Sequence, residues 1–350
     1  MTDEVDPTAA TLARYAAYAD RIAPTSPSYA AWARSLDDRL LDALHAVAAT
    51  QRQPELLFAV ARRLGADPSD PSALRVLVRE ACPTLVAALG TATVQANDPR
   101  RLAPVVPVLA ALSSASARPL GLVDVGAAAG LCSIPDRVTL DHRVAAAPSG
   151  QAAGPDPRLV RMHTAVPGPV VHLVADVTGT PPEPAREPIR IGARVALDPN
   201  PIDPADPEAV ARLVEAVPPE ATDRIALMRE ALRATLAEPP TRIRGRVPDD
   251  LDRAVDLVPD DGEPVVMTTG TLVYVPGPGR QRVADRLRER GVRWVALERT
   301  GVLRDVAATL PDDVDPDDPD AFATLSLDGR ALAVSDAFGT RVRWFGRITP

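Results

Sequence analysis

The chain has 350 residues, 46% of them apolar, and a net charge of -8, which suits an α/β domain with a smaller partner and argues against nucleic-acid binding. Aromatic residues make up only 3%, too few for base-stacking platforms, and no apolar run is long enough to cross a bilayer. The absence of lysine excludes Schiff-base and Walker A lysine chemistry, and the acidic start MTDEVDPTAA lacks signal-peptide regions, so a cytoplasmic location is expected.

From Thr8 to about Ser116 the apolar residues follow a helical period, as in Leu41, Leu44 and Val47 or Leu56, Leu57, Val60 and Leu64. Pro24, Pro27, Pro54, Pro71 and Pro83 punctuate these stretches as helix starts or breaks. The reading is an N-terminal helical domain over 1–117, with five or six helices and no strand. At Pro119 the texture changes, and 118–350 reads as a second domain. Leu120–Val125 is a strand, followed by a glycine turn and then, by pattern, a helix. Residues 143–190 read as an insertion, partly loop, with one strand at Val170–Ala175.

A regular alternation follows. Strands are expected at 190–197, 241–247 and 292–298, 264–275 is read as a strand followed by a turn, and helices are expected at 206–217, 222–237, 248–258 and 280–290. Residues 311–319, PDDVDPDDP, form an exposed acidic loop. The end reads as antiparallel strands at 322–327, 331–335 and 340–345, with an Asp328-Gly329 turn. The expected fold is α/β, with a Rossmann-like, mostly parallel sheet of methyltransferase type, a C-terminal antiparallel hairpin and a preceding helical domain.

Three strand ends carry candidate chemistry. Asp124-Val-Gly126-Ala-Ala128-Ala-Gly130 offers glycines for close backbone approach and an acid suited to a cationic amino group. Asp198-Pro-Asn200 follows a strand, where a carboxylate is suited to ribose hydroxyls; Asp141 is the rival at nearer spacing. Thr268, Thr269 and Tyr274 are candidates for a substrate pocket, and Glu298, ending the next strand, for a general base. Each has a plainer reading as a turn, a cap or a solvated strand end. Gln95, Asn97 and Asp98 form a polar knot that reads first as a helix cap before Pro99. Cys82 and Cys132 are isolated, and His45, His142, His163 and His172 do not cluster, so no metal site is expected.

Taken together, Ser26-Pro-Ser-Tyr29, Gln95-Ala-Asn97, Asp124–Leu131, Asp136-Arg137, Leu197–Asp203, Val273-Tyr-Val-Pro276 and Leu327-Asp-Gly-Arg330 resemble a bacterial family known as domain of unknown function 2332. The resemblance runs from about Tyr15 to Phe345 and implies a methyltransferase-like Rossmann fold with an N-terminal helical region. It draws attention to Gln95, Asn97, Asp136 and Arg137, and favours Asp198 over Asp141. The chain departs from the family pattern in carrying Asp124 for a glutamate, Cys132 for a polar residue and Thr268 for a histidine. Ala128 replaces the middle glycine of the usual methyltransferase turn.

The expectation is an S-adenosylmethionine-dependent methyltransferase acting on a small molecule, with no nucleic-acid or membrane partner. Asp124, Gly126, Ala128, Gly130, Asp198 and Asn200 would face the cofactor. Gln95, Asn97, Asp136, Arg137, Thr268, Thr269, Tyr274 and Glu298 are substrate candidates, with Arg137 suited to a carboxylate. A non-catalytic nucleotide- or metabolite-binding module on the same fold is the alternative. A nicotinamide-dependent oxidoreductase is disfavoured by the lack of G-x-G-x-x-G. The acceptor and the oligomeric state stay open.

Overall fold

The computed structural model describes residues 7–92, 97–144 and 158–349, so Gln95 lies outside the described residues. Helices come first: α1 (Pro7–Ile22), α2 (Pro27–Arg34), α3 (Asp38–His45), α4 (Pro54–Arg63), α5 (Ala73–Thr91) and α6 (Leu102–Ala115). Strands β1 (Leu120–Val125), β2 (Val138–Val144), β3 (Arg158–His163), β4 (Val171–Gly179) and β5 (Ile191–Asp198) follow. Then come α7 (Pro207–Glu215), α8 (Thr222–Ala237), β6 (Thr241–Arg244), α9 (Leu251–Val255), β7 (Glu263–Thr269) and α10 (Gly277–Glu289). The chain ends with β8 (Arg293–Arg299), α11 (Arg304–Ala307), β9 (Ala323–Leu327), β10 (Arg330–Ser335) and β11 (Arg341–Trp344). By its contacts it divides into two units, Met1–Ala96 with Asp206–Ala226, and Asn97–Ala205 with Leu227–Pro350.

The first unit is built from helices whose starts are written in the sequence. Ser26 and Asp37 accept backbone N–H bonds at the heads of α2 and α3, and Pro27, Pro54 and Pro207 occupy first-turn positions. Pro83 falls inside α5, and the helix kinks at Ala81 (φ -139°, ψ 32°). Phe58 sits at the centre of the core, its ring centroid 4.9–6.2 Å from those of Tyr15, Tyr18, Tyr29 and Trp32. The segment 206–226 is tied into this unit. Arg62 donates to Glu215 O and Val217 O at 2.9 Å, and Ser26 Oγ donates to Glu220 Oε2 at 2.6 Å. The Ser26-Pro-Ser-Tyr29 motif therefore caps a helix and anchors a distant segment.

Among the described residues of the second unit, all eleven strands join one sheet, ordered β3-β2-β4-β11-β10-β9-β8-β7-β1-β5-β6. Pairing is mostly parallel; β8 to β11 form an antiparallel run, and β3 is antiparallel to β2. Central β1 is buried along its whole length, as a strand covered on both faces requires. In β4, by contrast, Val171, Leu173, Ala175 and Val177 are buried while their neighbours are exposed. The helix α6, apolar nearly all round and almost wholly buried, packs on β2, β3, β4, β8 and β9. A second apolar cluster joins α9 and α10 to β1, β5, β7 and β8.

Two sequence expectations change. No helix follows β1: residues 126–134 form turns, and a short 3-10 helix at Pro135–Arg137 leads into β2. Gly126, Ala128 and Gly130 all have positive φ, which no right-handed helix tolerates. The stretch read as an insertion contributes β3 and β4 to the main sheet, alongside the unanticipated β2. The three antiparallel strands expected at the end are present, and the last of them also pairs parallel with β4. The Asp328-Gly329 turn is as expected, with both residues at positive φ.

Candidate functional site

Parallel register brings four strand ends to one edge of the sheet. Val125 pairs with Leu197 on one side and Thr268 on the other, and Thr269 pairs with Leu297. Asp124, Asp198, Thr268, Thr269 and Glu298 thus lie together at the carboxyl ends of β1, β5, β7 and β8. Asp141 lies on β2, with six strands between it and β1, and is paired with Arg161.

The turn after β1 is held from three directions. Asn97 donates from Nδ2 to Ala127 O (3.1 Å) and accepts at Oδ1 from Leu131 N (2.8 Å), bridging the two ends of the turn. Asp198 accepts from Ala128 N (2.9 Å) and from Asn200 N (2.7 Å). Ile202 N donates to Ala128 O (3.0 Å), and Thr235 Oγ1 to Gly130 O (3.2 Å). Gly126 is required by its φ of +77° and by Thr271, because a Cβ would stand 2.0 Å from Thr271 Oγ1. That hydroxyl donates to Val125 O at 2.9 Å. The space beside Gly126 is therefore filled by a threonine side chain.

The acids at the edge are buried. Asp124 Oδ2 accepts from Ser133 Oγ at 2.7 Å, whereas Oδ1 has no hydrogen-bond partner among the described residues. Burial pushes its pKa up to about 7, against the Ser133 bond and with the charge of Asp198 adding. Glu298 accepts from Thr271 N (3.1 Å) and Leu272 N (3.0 Å), so it caps the turn after β7. Burial pushes it up to about 7 as well, against those two backbone bonds. Cys132 is buried with its Sγ 3.5 Å from Asp98 O, and burial pushes the thiol up to about 12, far from a reactive thiolate.

The other predicted residues are engaged in contacts of their own. Asp136 makes two 2.6 Å bonds to Arg194, and Arg137 donates to half-exposed Glu238 Oε1 at 2.6 Å and to Pro167 O, forming a charge cluster that Arg194 joins to the Ser133 carbonyl at 3.1 Å. Thr268 is fully buried and accepts from Trp294 Nε1 at 3.3 Å, and Thr269 O accepts from Arg101 at 2.9 Å. Tyr274 is 75% exposed on a 3-10 turn. Asn200 Oδ1 accepts from Arg244 at 3.3 Å. Asp98 caps the 3-10 turn Pro99–Arg101 and pairs with Arg100, as the plainer reading of that segment had it. Sequence reasoning missed Thr271, Ser133 and Arg101. Thr271 alone carried a signal, as the third hydroxyl in Met267-Thr-Thr-Gly-Thr.

His163 is a buried structural residue: Nδ1 is 2.7 Å from Val138 O and Nε2 accepts from Ile189 N at 3.1 Å, so the proton belongs on Nδ1. Two cavities in this unit, of about 480 and 740 Å3, are lined by none of the predicted site residues. Among the described residues no helix is long and apolar enough to cross a membrane.

The fold and the edge define a mixed α/β protein with a large, mostly parallel sheet and buried acids at adjoining strand ends. The chain belongs to the family described as an uncharacterized protein conserved in bacteria, domain of unknown function 2332, whose model matches residues 3–344. No curated protein and no solved structure matches it.

Proposed function

We propose that the sheet unit is a Rossmann-like module of methyltransferase type, that it binds S-adenosylmethionine at the carboxyl edge of β1 and β5, and that it methylates a small molecule. The strand order supports the fold reading. Numbered among themselves, the five parallel strands β6-β5-β1-β7-β8 run 3-2-1-4-5, with antiparallel β9 added beyond them. In such sheets the ligand crevice lies where the order reverses, here at the ends of β1 and β7.

The observation that carries the proposal is Asp124 Oδ1, a fully buried acceptor without a donor among the described residues, at the end of β1. A buried polar atom left unpaired costs free energy, and a cationic amino group would remove that cost. The residues fit the cofactor in this respect. Asp124 would hold the amino group, with Asp198 and Asn200 at the next strand end toward the ribose. Bound S-adenosylmethionine supplies the electrophilic methyl group, and the chain's share is to orient the acceptor and exclude water.

A second reading, binding without turnover, is favoured by a different observation. Both Glu298 oxygens and the Asn97 amide are already engaged by backbone, and Thr271 fills the space at Gly126. Calorimetric titration with S-adenosylmethionine, S-adenosylhomocysteine and NAD separates these readings. Saturable binding of the first two, weakened roughly tenfold or more in Asp124→Asn and lost in Asp198→Ala, is expected. Radiolabelled methyl transfer to small-molecule pools then distinguishes an enzyme from a binding module. Lack of binding at millimolar cofactor overturns the proposal.

A further inference from the structure

The cavity of about 740 Å3 is a groove running beside α10, past the start of β8 and along the segment 301–307. Its size falls in the range of small-molecule sites. Its apolar wall is provided by half-buried Val302 and Leu303, backed by the buried Leu287 and Trp294. Glycines 277, 291, 301 and 329 also border it, and at none of them would an added Cβ meet another atom. The groove is therefore wide because its borders carry no side chains there.

The charge around the groove is unequal. Four arginines line it, Arg280, Arg288, Arg293 and Arg304, against two aspartates, Asp305 and Asp328. Arg293 pairs with Asp328 at 2.7 Å. Arg288 pairs with Asp285 and Asp305. Arg280 donates to the carbonyls of Leu272, Val275 and Val302, which fixes it without neutralising it. Arg304 is exposed, and its guanidinium has no hydrogen bond or ion pair among the described residues. An apolar wall bordered by a guanidinium with unused donors is complementary to an apolar body carrying one carboxylate.

We propose that this groove binds a small apolar monocarboxylate, its body against Val302 and Leu303 and its carboxylate toward Arg304. The site lies apart from the strand-end acids and does not depend on the reading of that edge. The probe is 2-naphthoate, followed by calorimetry and tryptophan fluorescence on the full chain, with neutral 2-naphthylmethanol as the comparison. Naphthoate is expected to bind at one site per chain and more tightly than the alcohol. Arg304→Ala, an exposed change that leaves the core intact, should weaken naphthoate about fivefold and leave the alcohol unchanged. Ala284→Trp, which places an indole into the groove, should weaken both by at least roughly tenfold, with circular dichroism confirming the fold. Asp124→Asn should change neither. Lack of saturable binding at millimolar naphthoate, or equal binding by wild type and Arg304→Ala, overturns the proposal.

Discussion

Replacing Asp124 by asparagine should make the protein more stable, and only above mildly acidic pH. The carboxyl is fully buried, and its pKa rises from 3.8 to about 7 in the folded state. Below the unfolded value both states hold the proton, and the side chain carries no penalty. As pH climbs toward 7 the unfolded chain releases the proton and the folded one does not, so stability falls. Above about 7 the folded state has to bury the charge, and the loss is complete. A displacement of about three units corresponds to roughly 4 kcal/mol. Asparagine removes the titration while leaving a carbonyl oxygen for the Ser133 hydroxyl. Urea unfolding of both proteins from about pH 4 to about pH 8.5 measures the difference. The two stabilities should converge near pH 4 and separate by roughly 4 kcal/mol near pH 8, the variant higher. Glu298, shifted the same way, is present in both and cancels from the comparison. Curves that stay parallel across the range would refute the reasoning. The same physics bears on ligand binding: a cation docking at Oδ1 should drive a proton off Asp124 near pH 6.5, seen as buffer-dependent binding enthalpy.

Two further substitutions test the turn itself. Asn97→Ala leaves Ala127 C=O and Leu131 N–H without their partner, which should cost roughly 2–4 kcal/mol and lower the melting temperature by about 2–4 °C for each of these; calorimetry reads both, and a loss under about 1 kcal/mol would show that Asn97 does not clamp the turn. Gly126→Ala combines a left-handed backbone with a Cβ 2.0 Å from Thr271 Oγ1, and should cost about 3 kcal/mol or more in urea unfolding. Gly301→Ala, also at positive φ but with no atom near the new Cβ, should cost only about 1 kcal/mol, and Thr271→Ala should recover part of the Gly126→Ala loss. Equal costs at 126 and 301 would refute the steric role of Thr271.

Much of the fold was readable in one dimension because its signals are local. Prolines 27, 54 and 207 open helices, the apolar run at Leu120–Val125 is a buried strand, and Asp328-Gly329 turns the chain between β9 and β10. Backbone angles and side-chain period decide such features, and both depend on near neighbours. Pairing partners do not. That β2, β3 and β4 extend the main sheet, with β11 pairing parallel to β4, is settled by hydrogen bonds between segments far apart in the chain. The glycine turn misled for a related reason. Ala129-Gly-Leu-Cys132 has a plausible helical pattern, yet Asn97 and Asp198 reach in from elsewhere and hold the backbone in a left-handed turn.

The candidate site divides along the same line. Sequence alone put Asp124, Asp198, Thr268, Thr269 and Glu298 at strand ends, and parallel register then gathered them at one edge. What each carboxylate faces was decided only in three dimensions. Glu298 caps backbone amides and Asp198 braces the turn, while Asp124 keeps one buried oxygen unpaired. An acid at the end of a strand looks the same in sequence whether its partner is a ligand, an arginine or a peptide N–H, because the partner is contributed by a segment the local pattern does not contain.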